Sequence, residues 1–419
     1  MRVFFVASGA LMFSAFLMLA GSGLLFGLLP QRAQIDGFSD GAIGLLGSAY
    51  FAGMLAGCFA VPVLIRMVGH IRVYAACAAL ATAMPLAQAM FPEPVAWIVL
   101  RVLTGFSFAA IYAIIESWLN ERATNEIRGT VLALYNIINY GAMAFGQQFM
   151  RLYDVNGFEL FALTAILISI AAVPVALTRT SAPTIPESPQ LRPLWLFKIS
   201  PMAFVGALFV GFANGAFWSM VPITVKTMGL GPAGVADFVS ATIIGAVLAL
   251  FPLGRYSDRV DRRFVMIGAS VVAAISGAAL MAAPLLGLNS YWILMALAAT
   301  FGASAMPIYA IAGAQGNDHA KPEQLVELST GLLLIYTTGA IIGPLAAAFF
   351  IGIAGPLALF GWTAGVHAVL AGYALYRIFQ RAPAKEQNRE PFVATPRTTP
   401  LAVELSPLVH DAEEQVSSS

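Results

Sequence analysis

Twelve stretches of mainly apolar residues, each about 20 long or a little longer, run along this chain and fix the class of fold open to it. They lie at 6–29, 41–65, 72–91, 94–118, 129–152, 157–178, 200–225, 233–254, 264–286, 289–313, 329–352 and 356–378. A stretch of this kind crosses the hydrocarbon of a bilayer as a helix. There the backbone N–H and C=O groups have no water to bond and must satisfy one another. Composition agrees: 59% of the 419 residues are hydrophobic and 10% are charged, against roughly 45–50% and about 25% in soluble domains. So few charges could not cover a soluble protein of this length. The sequence predicts an all-α membrane protein with twelve transmembrane helices, solvated by membrane lipid.

The net charge of +1 gives no reason to expect a nucleic-acid partner. Cys58 and Cys77 fall in apolar stretches and read as packing residues, and His319 and His367 have no spaced ligands near them, so no metal site is expected. No Walker loop, zinc pattern or nucleophile elbow occurs, so the chain does not read as an enzyme and no cofactor is expected. The first apolar run reaches Leu29, long for a signal peptide, and has an internal copy later in the chain.

Between the sixth and seventh stretches, Thr178–Lys198 is rich in Pro, Ser and Thr and reads as a linker. The expected division is a six-helix bundle over 1–178, a cytoplasmic linker over 179–199, a second bundle over 200–379 and a disordered cytoplasmic tail over 380–419. Basic residues decide orientation. Arg66, Arg72, Arg122, Arg128, Arg179, Arg192, Lys198, Arg255, Arg259, Arg262 and Arg263 fall on one side, while Arg32, Arg151 and Lys226 fall on the other. The positive-inside rule then puts both termini in the cytoplasm, in a multi-pass protein of the cytoplasmic (inner) membrane.

The two halves are related. Ala20–Pro30 aligns with Phe212–Pro222, pairing Gly23 with Gly215 and Pro30 with Pro222. At the same offset Ser48, Ala49 and Gly53 match Ser240, Ala241 and Gly245, and Pro92 matches Pro284. After a short insertion, Ile111–Ile114 matches Ile308–Ile311 and Asn120 matches Asn317. One offset held across three helix pairs predicts two pseudo-symmetric six-helix bundles related by an axis normal to the membrane.

Between the eighth and ninth stretches, the run Gly254-Arg255-Tyr256-Ser257-Asp258-Arg259-Val260-Asp261-Arg262-Arg263 closely resembles the signature loop of the major facilitator superfamily. The first-half equivalent is degraded, with Pro62 for the Gly and Arg66 for the Asp. Arg101-x-x-x-Gly105 resembles the family's fourth-helix motif. Ser48-Ala49-Tyr50-Phe51, Glu116-Ser117 before Arg128-Gly129, and Gly339-x-x-x-Gly343-Pro344 look most like the YcaD-like branch. The G-x-x-x-G-P pattern that antiporters of the superfamily often carry in the fifth helix stands here in the eleventh. The resemblance covers all but linker and tail. It implies alternating access by rocking of two halves and supplies no substrate.

Arg101 lies about 7–8 Å from the middle of the fourth span. A charge at that depth costs on the order of 3 kcal/mol or more unless it is paired or hydrated. It is a candidate for substrate binding or coupling, or else a structural partner of nearby carbonyls. The resemblance favours the first, since the fourth helix lines the cavity in this superfamily. Glu116 shares its helical stripe about 22 Å away, as a protonatable group near the inner mouth or a partner for a loop arginine such as Arg122. Asn136, Tyr140 and Gln147 form a polar stripe on the fifth span, serving the cavity or bonding helix to helix. Asn214 and Trp218, and Tyr50, Tyr112, Tyr309 and Tyr336, are further cavity candidates.

The resemblance implies that the loop Gly254, Asp258, Arg259 and Arg262 forms a cytoplasmic latch, Asp258 meeting the start of the fifth span at Arg128. Arg66 is a candidate partner for Glu327, and Arg151 and Asp237 a candidate outer gate. The expected function is secondary transport of a small organic solute, coupled to an ion gradient (most simply protons), by a monomer. Arg101 tilts the solute toward an anionic or zwitterionic metabolite. The alternatives are a proton-coupled drug or metabolite exporter, and a non-transporting sensor or lipid translocator on the same fold.

Overall fold

The structure is a computed structural model and describes residues 2–177, 192–380, 391–394, 396–403 and 406–408, with Pro183 and Arg389. The described residues form helices joined by turns and loops, with no strand among them. The first seven helices are α1 Arg2–Ile35, α2 Asp40–Val68, α3 His70–Met90, α4 Pro94–Arg122, α5 Asn125–Gln148, α6 Glu159–Ala176 and α7 Pro193–Ile199. The others are α8 Pro201–Lys226, α9 Pro232–Arg259, α10 Arg262–Leu285, α11 Tyr291–Ala305, α12 Ile308–Asn317, α13 Leu325–Ala354 and α14 Ala358–Gln380.

Among the described residues, ten spans are long and apolar enough to cross a membrane, α11 and α12 counting together as Tyr291–Asn317. The other two of the expected twelve are α5 and α6. Helix α5, 24 residues long, has the length but carries the amide stripe, and α6, 18 residues, is short for a span. The tenth span is broken where the sequence reads continuous. Met306 N–H still reaches Gly302 O at 3.2 Å, but Pro307 has no N–H to continue the ladder, and the helix restarts with Ile311 N–H on Pro307 O at 3.1 Å.

The described residues fall into two compact units. One comprises those within Met1–Gly37, Ala49–Gln190 and Thr395–Ser419, the other those within Phe38–Ser48 and Leu191–Ala394. This division departs from the one read in the sequence at three places. The start of α2 goes with the second unit, where Ser48 Oγ donates to Ile341 O at 2.6 Å. The expected linker lies largely outside the described residues, but its end forms α7, which buries Leu196 and pairs Arg192 with Glu327 at 3.1 Å. The segment read as a disordered tail has an ordered part that belongs to the first unit, with Thr399 and Ala402 buried.

Within each unit the same pairs of helices meet. In the first, α1 packs on α5 and α6, and α3 on α4 and α6; in the second, α8 packs on α13 and α14, and α10 on α11 and α14. Apolar attraction cannot hold these pairs, because lipid tails are as apolar as leucine; close backbone approach does. A Cβ on Gly53 would stand 2.0 Å from Val102 O, and one on Gly105 2.0 Å from Tyr50 O, so α2 and α4 touch through reciprocal glycines. Gly245 against Ala299 O at 2.0 Å and Gly302 against Thr242 O at 1.9 Å repeat that seam between α9 and α11. The repeat glycines noted in the sequence are thus contact points. Gly339 and Gly343 of the G-x-x-x-G-P pattern do the same for α13, against Leu208 O and Phe212 O of α8.

These seams make a test. Gly302→Ala forces α9 from α11 and is expected to cost about 1–3 kcal/mol. Gly268→Ala on α10, with nothing within 4 Å of the added methyl, is expected to be neutral or to stabilise by up to about 1 kcal/mol. Thermal unfolding of the detergent-purified variants reads the difference; equal midpoints would refute the seam.

Candidate functional site

In the first unit the candidate residues Arg101, Tyr112 and Glu116 lie along α4. Arg101, 3% exposed, has its guanidinium carbon 4.4 Å from the centroid of the Tyr50 ring on α2 and 5.1 Å from that of Phe26 on α1. Both distances are in the range where a ring face attracts a cation, and the attraction grows when water is excluded. The Tyr50 ring in turn stands edge-on to Phe26 at 5.0 Å, and Phe108 joins it at 6.3 Å. Aromatic faces thus stabilise a charge held among apolar helices.

A polar line continues from there. Ser22 on α1 lies beside the hydroxyls of both Tyr50 and Tyr112. One turn beyond Tyr112 lies Glu116, with no exposed surface. Its Oε1 accepts from Tyr135 Oη of α5 at 2.9 Å, and its two carboxylate oxygens accept from the hydroxyls of Thr398 and Thr399. Glu116 therefore bonds α5 and the C-terminal segment. The Arg122 pairing considered from sequence is not among its contacts in this arrangement.

The amides of α5 divide by role. Gln147 Nε2 donates to Gly23 O at 2.6 Å, bonding α5 to α1, and Asn136 Nδ2 donates to Leu132 O of its own helix at 3.1 Å. Tyr140 Oη accepts at 3.0 Å from Nη2 of Arg397, the residue before the threonines on Glu116. Arg128 bonds the Asn120 side chain and, at 3.0 Å, Ala123 O, bracing the α4–α5 turn. Arg151 donates to Gln148 at 2.8 Å, and Arg66 lies exposed near the end of α2.

In the second unit, Asn214 of α8 is fully buried, and neither its side-chain oxygen nor its nitrogen has a partner among the described residues. Trp218, one turn on, stands edge-on to Phe217 at 5.3 Å. Tyr309 and Tyr336 meet ring to ring at 5.0 Å. Asp237 accepts from Tyr291 Oη at 2.6 Å.

The signature loop is a clamp within its own unit. Arg262, 1% exposed, bonds Asp258 Oδ1 at 2.9 Å, Ser257 Oγ at 2.9 Å and Asp318 Oδ2 at 2.7 Å, so it ties the end of α9 to the end of α12. The other Asp258 oxygen accepts from Phe392 N–H at 3.2 Å, and the Phe392 ring lies against Gly254, where a Cβ would sit 2.1 Å away. Arg259 is exposed at the end of α9. Next to the clamp, Arg263 chelates Asp261, with Nη2 to Oδ2 at 2.6 Å, and donates to Arg377 O at 3.1 Å. Burial pushes the Asp261 carboxyl up, but the Arg263 hydrogen bonds and the charges of Arg263 and Arg389 outweigh it and hold it below the usual carboxylate range.

Four contributors escape a reading of the sequence: Ser22, Tyr135, Asp318 and the Thr398–Thr399 pair. Ser22 had a signal, since the repeat aligns it with Asn214. Tyr135 lies one residue before the chosen α5 stripe. Nothing local marks Asp318, which meets Arg262 across 56 residues.

Removing one partner from a buried ion pair leaves the other charge uncompensated. Asp318→Asn is therefore expected to lower stability by about 3–5 kcal/mol, while Arg259→Ala on the surface changes it by less than about 0.5 kcal/mol. Thermal melts of the two variants decide it. The pH dependence has a definite sign as well. Asp261 holds its proton less readily folded than unfolded, so its pairing stabilises at neutral pH and is lost as pH falls through the depressed value. Asp261→Asn should melt lower at neutral pH and converge on the parent in acid; parallel curves would exclude the contribution.

The chain matches the family model described as Major Facilitator Superfamily over residues 11–203 and 203–411. An uncharacterized MFS-type transporter of Yersinia pestis (strain Pestoides F) is 25% identical over 305 residues, 72% of this chain and 78% of that protein. The uncharacterized MFS-type transporter YcaD of Salmonella newport (strain SL254) is 25% identical over 310 residues, 73% of this chain and 78% of the relative. Among solved structures, the nucleoside transporter NupG matches with a TM-score of 0.73 at 17% identity, covering 89% of this chain and 99% of its own. A bacterial homolog of the human lysosomal transporter Spinster matches with a TM-score of 0.69 at 14% identity, covering 97% of this chain and 98% of its own. These two share the fold. Helices of membrane-crossing length, a repeated pattern of glycine seams and a family match over nearly the whole length lead to one assignment: the chain is a multi-pass membrane transporter belonging to the Major Facilitator Superfamily and resembling its YcaD-like proteins.

Proposed function

We propose that the chain is a proton-coupled secondary transporter that moves a small polar organic solute across the cytoplasmic membrane by alternating access, with both termini in the cytoplasm. The observation that carries this reading is Glu116. A carboxyl group fully buried on a membrane-crossing helix is costly in hydrocarbon, and such groups mark ion and proton pathways. It lies on one stripe with Tyr112 and Arg101, so a change in its charge is felt by the polar groups along that stripe, Ser22 and Tyr50 beside them. Two separately packed units, each held by its own backbone seams, support rocking as near-rigid bodies. The excess of basic residues in the loops on one side supports the orientation.

Arg101 is the cation of this line, and its aromatic cradle keeps it charged where water is scarce. It serves an anionic or zwitterionic group of the solute, or the coupling step itself. Lysine does not replace arginine at a stacked site, because its ammonium is compact and strongly hydrated.

A thermal-shift screen of metabolites against the purified protein identifies a solute, and proteoliposomes then measure its flux. One pH unit is worth about 1.4 kcal/mol per proton, enough for about tenfold accumulation. Accumulation of that order in the parent should vanish when the proton gradient is collapsed. In Glu116→Gln accumulation should be absent, and Arg101→Ala should abolish accumulation and exchange alike, with folded protein still in the membrane in both. Undiminished accumulation by Glu116→Gln would overturn the coupling role, and binding without flux in the parent would favour a sensor.

A further inference from the structure

The buried carboxylate of Glu116 is occupied. Thr398 Oγ1 donates to Oε1 and Thr399 Oγ1 to Oε2, so two hydroxyls on adjacent residues each take one carboxylate oxygen. Tyr135 Oη fills a further site on Oε1 at 2.9 Å, and the N–H of Ala402 also faces the carboxylate. The short 3₁₀ turn Pro400–Val403 follows the threonines and packs on α4, with Thr399 1% exposed and Ala402 fully buried. Arg397, just before the threonines, reaches Tyr140 Oη at 3.0 Å. This is a built polar site on α4 and α5, filled by a segment of the chain's own C-terminal region.

The chemistry of the occupant describes what the site accepts. An ionised carboxylate has only acceptors, on two oxygens, and two neighbouring O–H donors match it. Chelation of this kind is available to any molecule with hydroxyls on adjacent carbons. A single alcohol engages one oxygen and leaves the other without its donor, which in a buried site is costly. Tyr135 alongside offers a hydroxyl for hydrogen bonding and a flat apolar face against which the C–H face of a sugar ring or cyclic polyol packs.

We propose that Glu116 with Tyr135 is a binding site for a vicinal diol, such as a sugar or polyol, and that Thr398–Thr399 occupies it as an internal ligand that a solute must displace. The segment thereby lowers the apparent affinity for solute in proportion to the time it is bound. Only the description of the diol as transported solute rests on the transporter reading; recognition itself is read by binding, without flux. Failure of proton-driven accumulation would therefore leave this site standing, and failure of diol binding would leave transport standing.

The test uses the full-length protein in detergent and follows the thermal midpoint against a panel of myo-inositol, D-ribose, D-xylose and D-mannitol, with cyclohexanol as the single-hydroxyl control. At least one polyol should raise the midpoint in a saturable way and cyclohexanol should not. In Thr398→Val/Thr399→Val, which keeps the side-chain shape and removes both donors, the half-saturating concentration should fall by about tenfold, as expected when a competitor bound about nine-tenths of the time is removed. In Thr398→Ser/Thr399→Ser, which keeps both hydroxyls, it should match the parent. The diol assignment is overturned if no polyol in the panel acts on either parent or valine variant, or if cyclohexanol acts equally. The internal-ligand assignment is overturned if the valine and serine variants titrate alike.

Discussion

Hydrocarbon offers no hydrogen bonds, and the rest of this structure is a response to that fact. Every backbone amide in a span has to find its carbonyl within its own helix, so the spans are helices, and their association falls to shape. The reciprocal glycines of α2 with α4 and of α9 with α11 supply that shape by letting carbonyls approach Cα atoms to contact distance. The seams recur at repeat-equivalent positions because both halves meet the same requirement with the same backbone geometry.

The same scarcity of partners gives each polar side chain inside the bundles a weight it lacks in water. Arg101 is carried by ring faces, Gln147 by a carbonyl of α1, Glu116 by hydroxyls, and Arg262 by two aspartates. These solutions separate scaffold from site. The Gln147 and Arg262 arrangements lock elements together within one unit. Those around Arg101 and Glu116 form a line whose members, mostly tyrosine and serine, both donate and accept and so can pass a change along.

Much of the scaffold was legible in the sequence for a local reason. Length and apolarity of a span are properties of contiguous residues, and the glycine pairs surfaced through the internal repeat. The positions of Arg101 and Glu116 on one stripe followed from helical spacing alone. What the residues bind was less accessible, because bonding partners in a bundle are distant in the chain. Asp318 and Arg262 come together only after the three helices α10, α11 and α12 between them fold, and Tyr135 reads as one more aromatic on an amphipathic helix. The C-terminal segment misled for a compositional reason. Its prolines and threonines have the character of a chain that cannot build a core, yet a few of its hydroxyls suffice when a buried carboxylate with acceptor sites left over from Tyr135 awaits them. Pro307 broke the tenth span where hydropathy, blind to a missing N–H, showed continuity.

The bonding of Glu116 also has an order in time. Its Tyr135 partner follows 19 residues later, but its threonine partners follow 282 and 283 residues later. At about 5–20 residues per second, the ribosome delivers Tyr135 within about 1–4 s of Glu116 and the threonines only after about 14–57 s. Helix α4 therefore enters the bilayer and settles against α5 well before the C-terminal segment exists. Insertion has to succeed with the carboxyl supported by α5 alone, and the last contact made in biosynthesis closes over a site that is already assembled.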